Sequence, residues 1–151
     1  MIKAEYMGST SGTRGCILSS YNSSKFISYE YTTGPRMDIY GANVDVTKAV
    51  THDTKHNSFI EYNNGVLTHT VDGTVHTTLN KDYTGLCDKS AYIFLDREKR
   101  SSTFNKVFKI YYLTIIENNE TVRNFLPCTY LGEPGMWDTV ENKFYRNQGT
   151  G

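Results

Sequence analysis

The sequence predicts an all-β domain, and three observations carry that expectation. Thr, Val, Ile and Tyr are plentiful while only three Pro occur, a composition that suits pleated, half-buried segments. No window of about 11 residues keeps apolar side chains at helical spacing between credible caps. Short β-rich runs recur instead, punctuated by Gly, Asn, Asp and Ser. A dozen such runs in one domain imply a sandwich or a barrel.

Along the chain the expected strands are Ile2–Met7, Cys16–Ser20, Lys25–Tyr31, Arg36–Tyr40, Ser58–Tyr62, Val66–Val71, Thr74–Leu79 and Ala91–Leu95. Lys106–Ile116, Val122–Pro127, Gly135–Asp138 and Lys143–Tyr145 complete the set. Asn64-Gly65 and Asp72-Gly73 both accept the positive φ angles of a type I′ turn, so Ser58 to Leu79 reads as a three-stranded meander. With Asp72-Gly73 as a two-residue loop, Val71 faces Thr74 and His69 faces His76. Lys106–Ile116 is dense in β-branched and aromatic residues, which favours one long strand over a helix. Asn118-Asn119 then turns the chain. The charged run from Asp96 to Asn105 reads as a solvated loop, and Gly8-Ser-Thr-Ser-Gly12 as a flexible turn.

At 151 residues the chain fits one domain spanning 1–151, large enough to bury a core. Charged residues are only 21% against 38% hydrophobic, which excludes a disordered polyelectrolyte. Lys plus Arg equals Asp plus Glu at 16 each, so no net field draws in nucleic acid or an anionic membrane. Neither is expected as a partner. Cys16, Cys87 and Cys128 are odd in number and lack CxxC spacing, arguing against a disulfide framework or a zinc knuckle. They read as small hydrophobes of a protein folded in a reducing compartment, such as one assembled in a cytoplasm before release. No apolar run approaches the roughly 20 residues that cross a bilayer. Met-Ile-Lys-Ala-Glu-Tyr has no signal-peptide core and leads straight into a strand, as in a domain cut from a longer chain.

The C-terminal third carries a family resemblance. Lys109-Ile-Tyr-Tyr, Glu117-Asn-Asn-Glu-Thr-Val-Arg-Asn-Phe-Leu-Pro-Cys128, Gly135-Met-Trp-Asp138 and Lys143-Phe-Tyr-Arg-Asn-Gln-Gly-Thr-Gly151 together resemble the closing signature of concanavalin A-like, laminin-G-type domains. His69-Thr-Val-Asp-Gly73 and Cys16-Ile-Leu-Ser-Ser resemble earlier strands of that family. Trp137 stands where Tyr is more usual, and the usual leading Tyr-Ile-Asp-Thr-Gly strand is absent. The resemblance implies a two-sheet antiparallel jelly-roll sandwich of the kind found in phage tail and fibre proteins and in gut-bacterial surface proteins. The implied setting is a virion, alternatively a bacterial cell surface. Implied partners are a glycan or host-surface receptor, virion proteins, and further copies of this chain where a sheet edge lies uncovered. Within the motif, Arg123, Phe125 and Pro127 alternate with Asn124 and Leu126, Pro127 is expected to end its strand, and Gly135 to sit in a turn. Trp137 is expected to be half-buried.

Glycosidases of this fold place carboxylates at alternate positions of one strand, so that acid and nucleophile share a face about 5–6 Å apart. No such run occurs; Asp96-x-Glu98 is nearest and lies in the basic loop. His69 with His76, and His52 with His56 around Asp53, have metal-like spacing but lack further ligands, so the first pair reads as exposed on a sheet and the second as loop. No dense Asp cluster suggests calcium, and no Gly-x-Ser-x-Gly or phosphate-cradling loop occurs. No catalytic residue, metal site or cofactor is expected. What remains is surface recognition, for which the candidate residues are Tyr29, Tyr31, Arg36, Asp38 and Tyr40, grouped across a hairpin. Tyr is rigid and amphipathic, and beside an Asp and an Arg it can grip a sugar ring by stacking and hydrogen bonds. The rival expectation is a structural or decoration domain of a virion, with the Tyr-rich face as a protein interface.

Overall fold

The computed structural model describes the backbone of residues 1–9, 15–22, 25–31, 35–39, 42–44, 50–80, 91–93 and 108–146, and the side chains of 1–9, 50–76, 78, 80 and 109–146. These residues form strands and turns, with no helix among them. The strands are β1 (Ile2–Gly8), β2 (Gly15–Asn22), β3 (Lys25–Tyr31), β4 (Pro35–Ile39), β5 (Ala42–Val44), β6 (Lys55–Asn63), β7 (Val66–Val71), β8 (Thr74–Asn80), β9 (Ala91–Ile93), β10 (Phe108–Glu117), β11 (Glu120–Tyr130), β12 (Glu133–Asp138) and β13 (Lys143–Arg146). All twelve expected strands have a counterpart, and β5 is additional. The charged run Asp96 to Asn105 lies outside the described residues, as do Ser101–Val107 and the closing residues 147–151.

Eight strands form one antiparallel sheet in the order β13-β12-β11-β10-β1-β6-β7-β8. The others form a five-stranded antiparallel ladder, β5-β4-β3-β2-β9. In the larger sheet, β6–β8 and β10–β13 are two meanders of contiguous chain, and β1 joins them. Ala4 pairs with Leu113 of β10 on one side and with Ser58 of β6 on the other. Alternation then assigns the faces. One face carries Ala4, Tyr6, Ile60, Leu67, Val71, Ile110, Leu113, Phe125 and Met136, all under 8% exposed. The opposite face carries Lys3, Glu5, Asn57, Phe59, Thr70 and Tyr112, paired by the same registers.

Turn chemistry sets the registers. Asn64-Gly65, Asp72-Gly73 and Asn118-Asn119 all have positive φ at both positions, so each closes a two-residue type I′ hairpin. The predicted meander is present, with one correction. Val71 does face Thr74, but a β-bulge shifts the ladder between His69 and Thr70, and His69 faces Thr77. The extra residue keeps the His69 and His76 rings 6.4 Å apart all the same.

Two motif expectations are also corrected. Pro127 does not end β11; it pairs with Met136. The last pairing of β11 with β10 is at Phe125, so Pro127 has a ladder on one side only, and its missing N–H is tolerated there. Gly135 lies within β12 rather than in a turn. A Cβ there would run into the Tyr145 carbonyl oxygen and the Phe144 ring, so the position requires glycine for close approach. Trp137 is half-buried, as expected.

Leu131-Gly132 makes a fourth two-residue hairpin, between Tyr130 and Glu133. Every other described non-glycine residue with positive φ is Asn or Asp, whose short polar side chains tolerate the left-handed region. Leu131 has φ 52° and is 87% exposed, so its side chain gains no packing for the strain. Leu131→Asn is expected to stabilise the protein by about 1 kcal/mol, read as a higher urea midpoint at unchanged slope. A lower midpoint would contradict this strain.

Candidate functional site

The residues expected to form a binding site lie in the five-stranded ladder. Tyr29 is in register with Met37 and Tyr31 with Pro35, whereas Arg36 is opposite Glu30 and Asp38 opposite Ser28. Residues opposite each other share a face, so the two Tyr positions and the Arg-Asp pair fall on different faces of this ladder. Tyr40 lies outside the described residues.

Two polar clusters occur in the eight-stranded sheet. In the first, His56 is buried rather than in a loop, and β6 carries it. Its Nδ1 meets the Asp72 carboxylate at 2.6 Å and its Nε2 the Thr51 carbonyl oxygen at 2.8 Å. Asp72 also accepts from the Asn57 N–H at 2.8 Å, while the Asp72 N–H donates to the Asn57 carbonyl at 2.9 Å. A carboxylate orienting an imidazole is the arrangement of a general base. Here Nε2 is spent on a main-chain oxygen, so the pair acts as a pin between residue 51, β6 and the β7–β8 turn. Burial works to raise the Asp72 pKa, but hydrogen bonds from His56 and Asn57 and the charges of His56 and His76 outweigh it, and the net shift is down.

In the second cluster, Asp138 is fully buried and accepts from the N–H groups of Asn124 at 3.1 Å and Val140 at 3.0 Å. Arg123 bridges it to Glu141, with Nε 3.6 Å from Asp138 and a terminal nitrogen 2.6 Å from Glu141. The Tyr145 hydroxyl donates to Glu141, which together with burial and the Glu141 charge raises its pKa. With Asp138 sealed and both carboxylates held by Arg123, this network ties β11, β12 and β13 together.

The described residues of the opposite face are half-buried or exposed. A cleft of about 280 Å³ lies between β1, β6, β7 and β10, lined by Lys3, Asn57, Phe59, Thr70, Gly73 and Tyr112. Lys3 Nζ sits 5.4 Å from the Phe59 ring centroid, and the half-buried Tyr112 donates its hydroxyl to Asn57 Oδ1 at 3.3 Å. Burial, and then the Glu5 charge, raise the Tyr112 pKa, so the phenol keeps its proton. None of these residues stood out in the sequence. They come from strands distant along the chain, and the alternation of Lys55, Asn57, Phe59 and Glu61 in β6 is the one local pattern that could have pointed to this face. Further along this face, the Tyr130 ring lies tilted against Trp137 and Phe144, with centroids 5.7 Å and 5.4 Å away, beside the exposed Leu126 and Leu131.

Among the described residues no group of three or more His, Cys, Asp or Glu could hold a metal ion. No protein-family model matches the chain, and no curated protein matches it in sequence.

His69 is buried, not exposed on the sheet as its spacing suggested, and its Nε2 lies 2.9 Å from the Ser58 hydroxyl. Burial, and secondarily the charge of His76, lower its pKa from 6.5 to about 4. The unfolded chain therefore binds a proton that the fold refuses, and stability falls as pH drops from about 6.5 to about 4. The gap corresponds to roughly 3 kcal/mol, and Asp72 adds a further loss below its ordinary value of 3.8. Denaturant unfolding between pH 7 and 4 should show this loss, and His69→Gln should flatten it. An unchanged slope in the variant would rule His69 out as its source.

Proposed function

We propose that this chain is a non-enzymatic recognition module that binds carbohydrate, set in a phage tail or fibre or, alternatively, in a bacterial surface protein. The observation that carries the reading is the cleft flanked by Phe59 and Tyr112. Aromatic faces offer a sugar ring apolar contact, and the neighbouring Asn57, Thr70 and Lys3 offer hydrogen bonds to its rim. A volume of about 280 Å³ lies at the small end of ligand sites and suits one sugar ring. The C-terminal resemblance to concanavalin A-like, laminin-G-type domains supports the setting.

The same reading takes the fold as a two-sheet jelly-roll sandwich. A sheet buries an apolar face only against another layer, and the Ala4–Leu113 face needs one. The five-stranded ladder is the candidate cover.

A second reading, a virion structural or decoration domain, is favoured by Leu126, Tyr130 and Leu131, which leave 41%, 47% and 87% of their surface exposed beside Trp137 and Phe144. Such a patch at a sheet edge fits a protein contact.

A glycan array followed by calorimetry on the best hit tests the choice. Phe59→Ala and Tyr112→Ala should each weaken sugar binding about tenfold, the loss of roughly one stacking contact, with the β-sheet circular dichroism of the folded protein retained. Silence across the array, with a stable oligomer or partner complex in light scattering, would favour the second reading.

A further inference from the structure

We propose that the cleft selects sugars that carry a carboxylate, with the Lys3 ammonium as the cation that donates to it; this rests on the carbohydrate reading above. The donor and acceptor inventory of the cleft decides it. Its lining contains a cation, an amide and a hydroxyl at Lys3, Asn57 and Thr70, but no carboxylate. Neutral sugars are rimmed with hydroxyl donors and are held best where a site supplies charged acceptors. This site supplies the opposite polarity.

Lys3 is available for that task. Among the described residues no carboxylate lies within ion-pair distance of its ammonium, whose contact is the Phe59 ring. Glu5 and Asp72 are engaged elsewhere. Glu5 pairs with Lys55 at 3.5 Å, and Asp72 with His56 at 2.6 Å and the Asn57 N–H at 2.8 Å.

Asn57 is oriented for the same role. Its Oδ1 accepts from Tyr112, and its Nδ2 is the group that can donate to a ligand. A carboxylated pyranose would lay its apolar face against Phe59 and Tyr112 and direct its carboxylate to Lys3, with Asn57 donating to a neighbouring oxygen. Lys3, already poised over a ring, then serves both the stack and the charge.

Titrating the full chain with methyl β-glucuronide and methyl β-glucoside, followed by NMR at low salt, tests the proposal. The glucuronide should bind about tenfold tighter than the glucoside, the scale of one partly shielded ion pair. Added salt should shrink that ratio. Lys3→Gln should bring it to about twofold or less, Lys3→Arg should keep most of it, and Lys143→Gln, remote from the cleft, should leave it intact. Equal binding of the two sugars, or a ratio that survives Lys3→Gln, overturns the acidic preference while carbohydrate binding stands. Binding of neither sugar overturns both.

Discussion

The pairing of β1 on both of its sides is the constraint on which the eight-stranded sheet depends. The β6–β8 and β10–β13 meanders each fold from contiguous chain and can form their hairpins locally. Among the described strands, β1 alone joins them within the sheet. Its inward residues explain the strength of the join. Ala4 and Tyr6 are within 1% of full burial, and Leu113, opposite Ala4, is equally sealed. A small residue beside a large one lets neighbouring strands interdigitate without a void. The Met1 carbonyl extends the ladder by accepting from the Ile116 N–H at 2.9 Å.

The open face inherits its composition from the same join. Lys3 and Glu5 alternate with Ala4 and Tyr6, so the register that buries one set presents the other between Phe59 and Tyr112. A slip of one residue would turn Lys3 and Glu5 into the core. The cleft and the core are thus two consequences of one register. The polar pins act at the periphery. His56 with Asp72 secures the β7–β8 end, and Arg123 with Asp138 and Glu141 secures the β11–β13 end.

How much of this was legible in the sequence follows from how local each determinant is. Asn-Gly, Asp-Gly and Asn-Asn accept positive φ, so three hairpins and their registers could be read from dipeptides. Leu131-Gly132 could not, because Leu carries no preference for that conformation and makes the turn only under strain. The bulge near His69 is invisible to a rule that counts from the turn, which is why His76 was placed opposite it. Burial of His56 and His69 was equally hidden, since their partners Asp72, Thr51 and Ser58 come together only through pairing. The aromatic hairpin around Tyr29 and Arg36 was conspicuous as a stretch of chain, and its register sets Tyr29 and Tyr31 opposite Met37 and Pro35, and Arg36 and Asp38 opposite Glu30 and Ser28. The cleft draws on four strands and has no signature in any one of them.

The most direct test of the central role of β1 is native-state hydrogen exchange on its backbone amides. If β1 holds the two meanders in one cooperative sheet, its amides exchange only by global unfolding, with the same free energy as the inner amides of β6 and β10. Exchange of β1 by a lower-energy local opening, while β6–β8 and β10–β13 stay protected, would contradict the account.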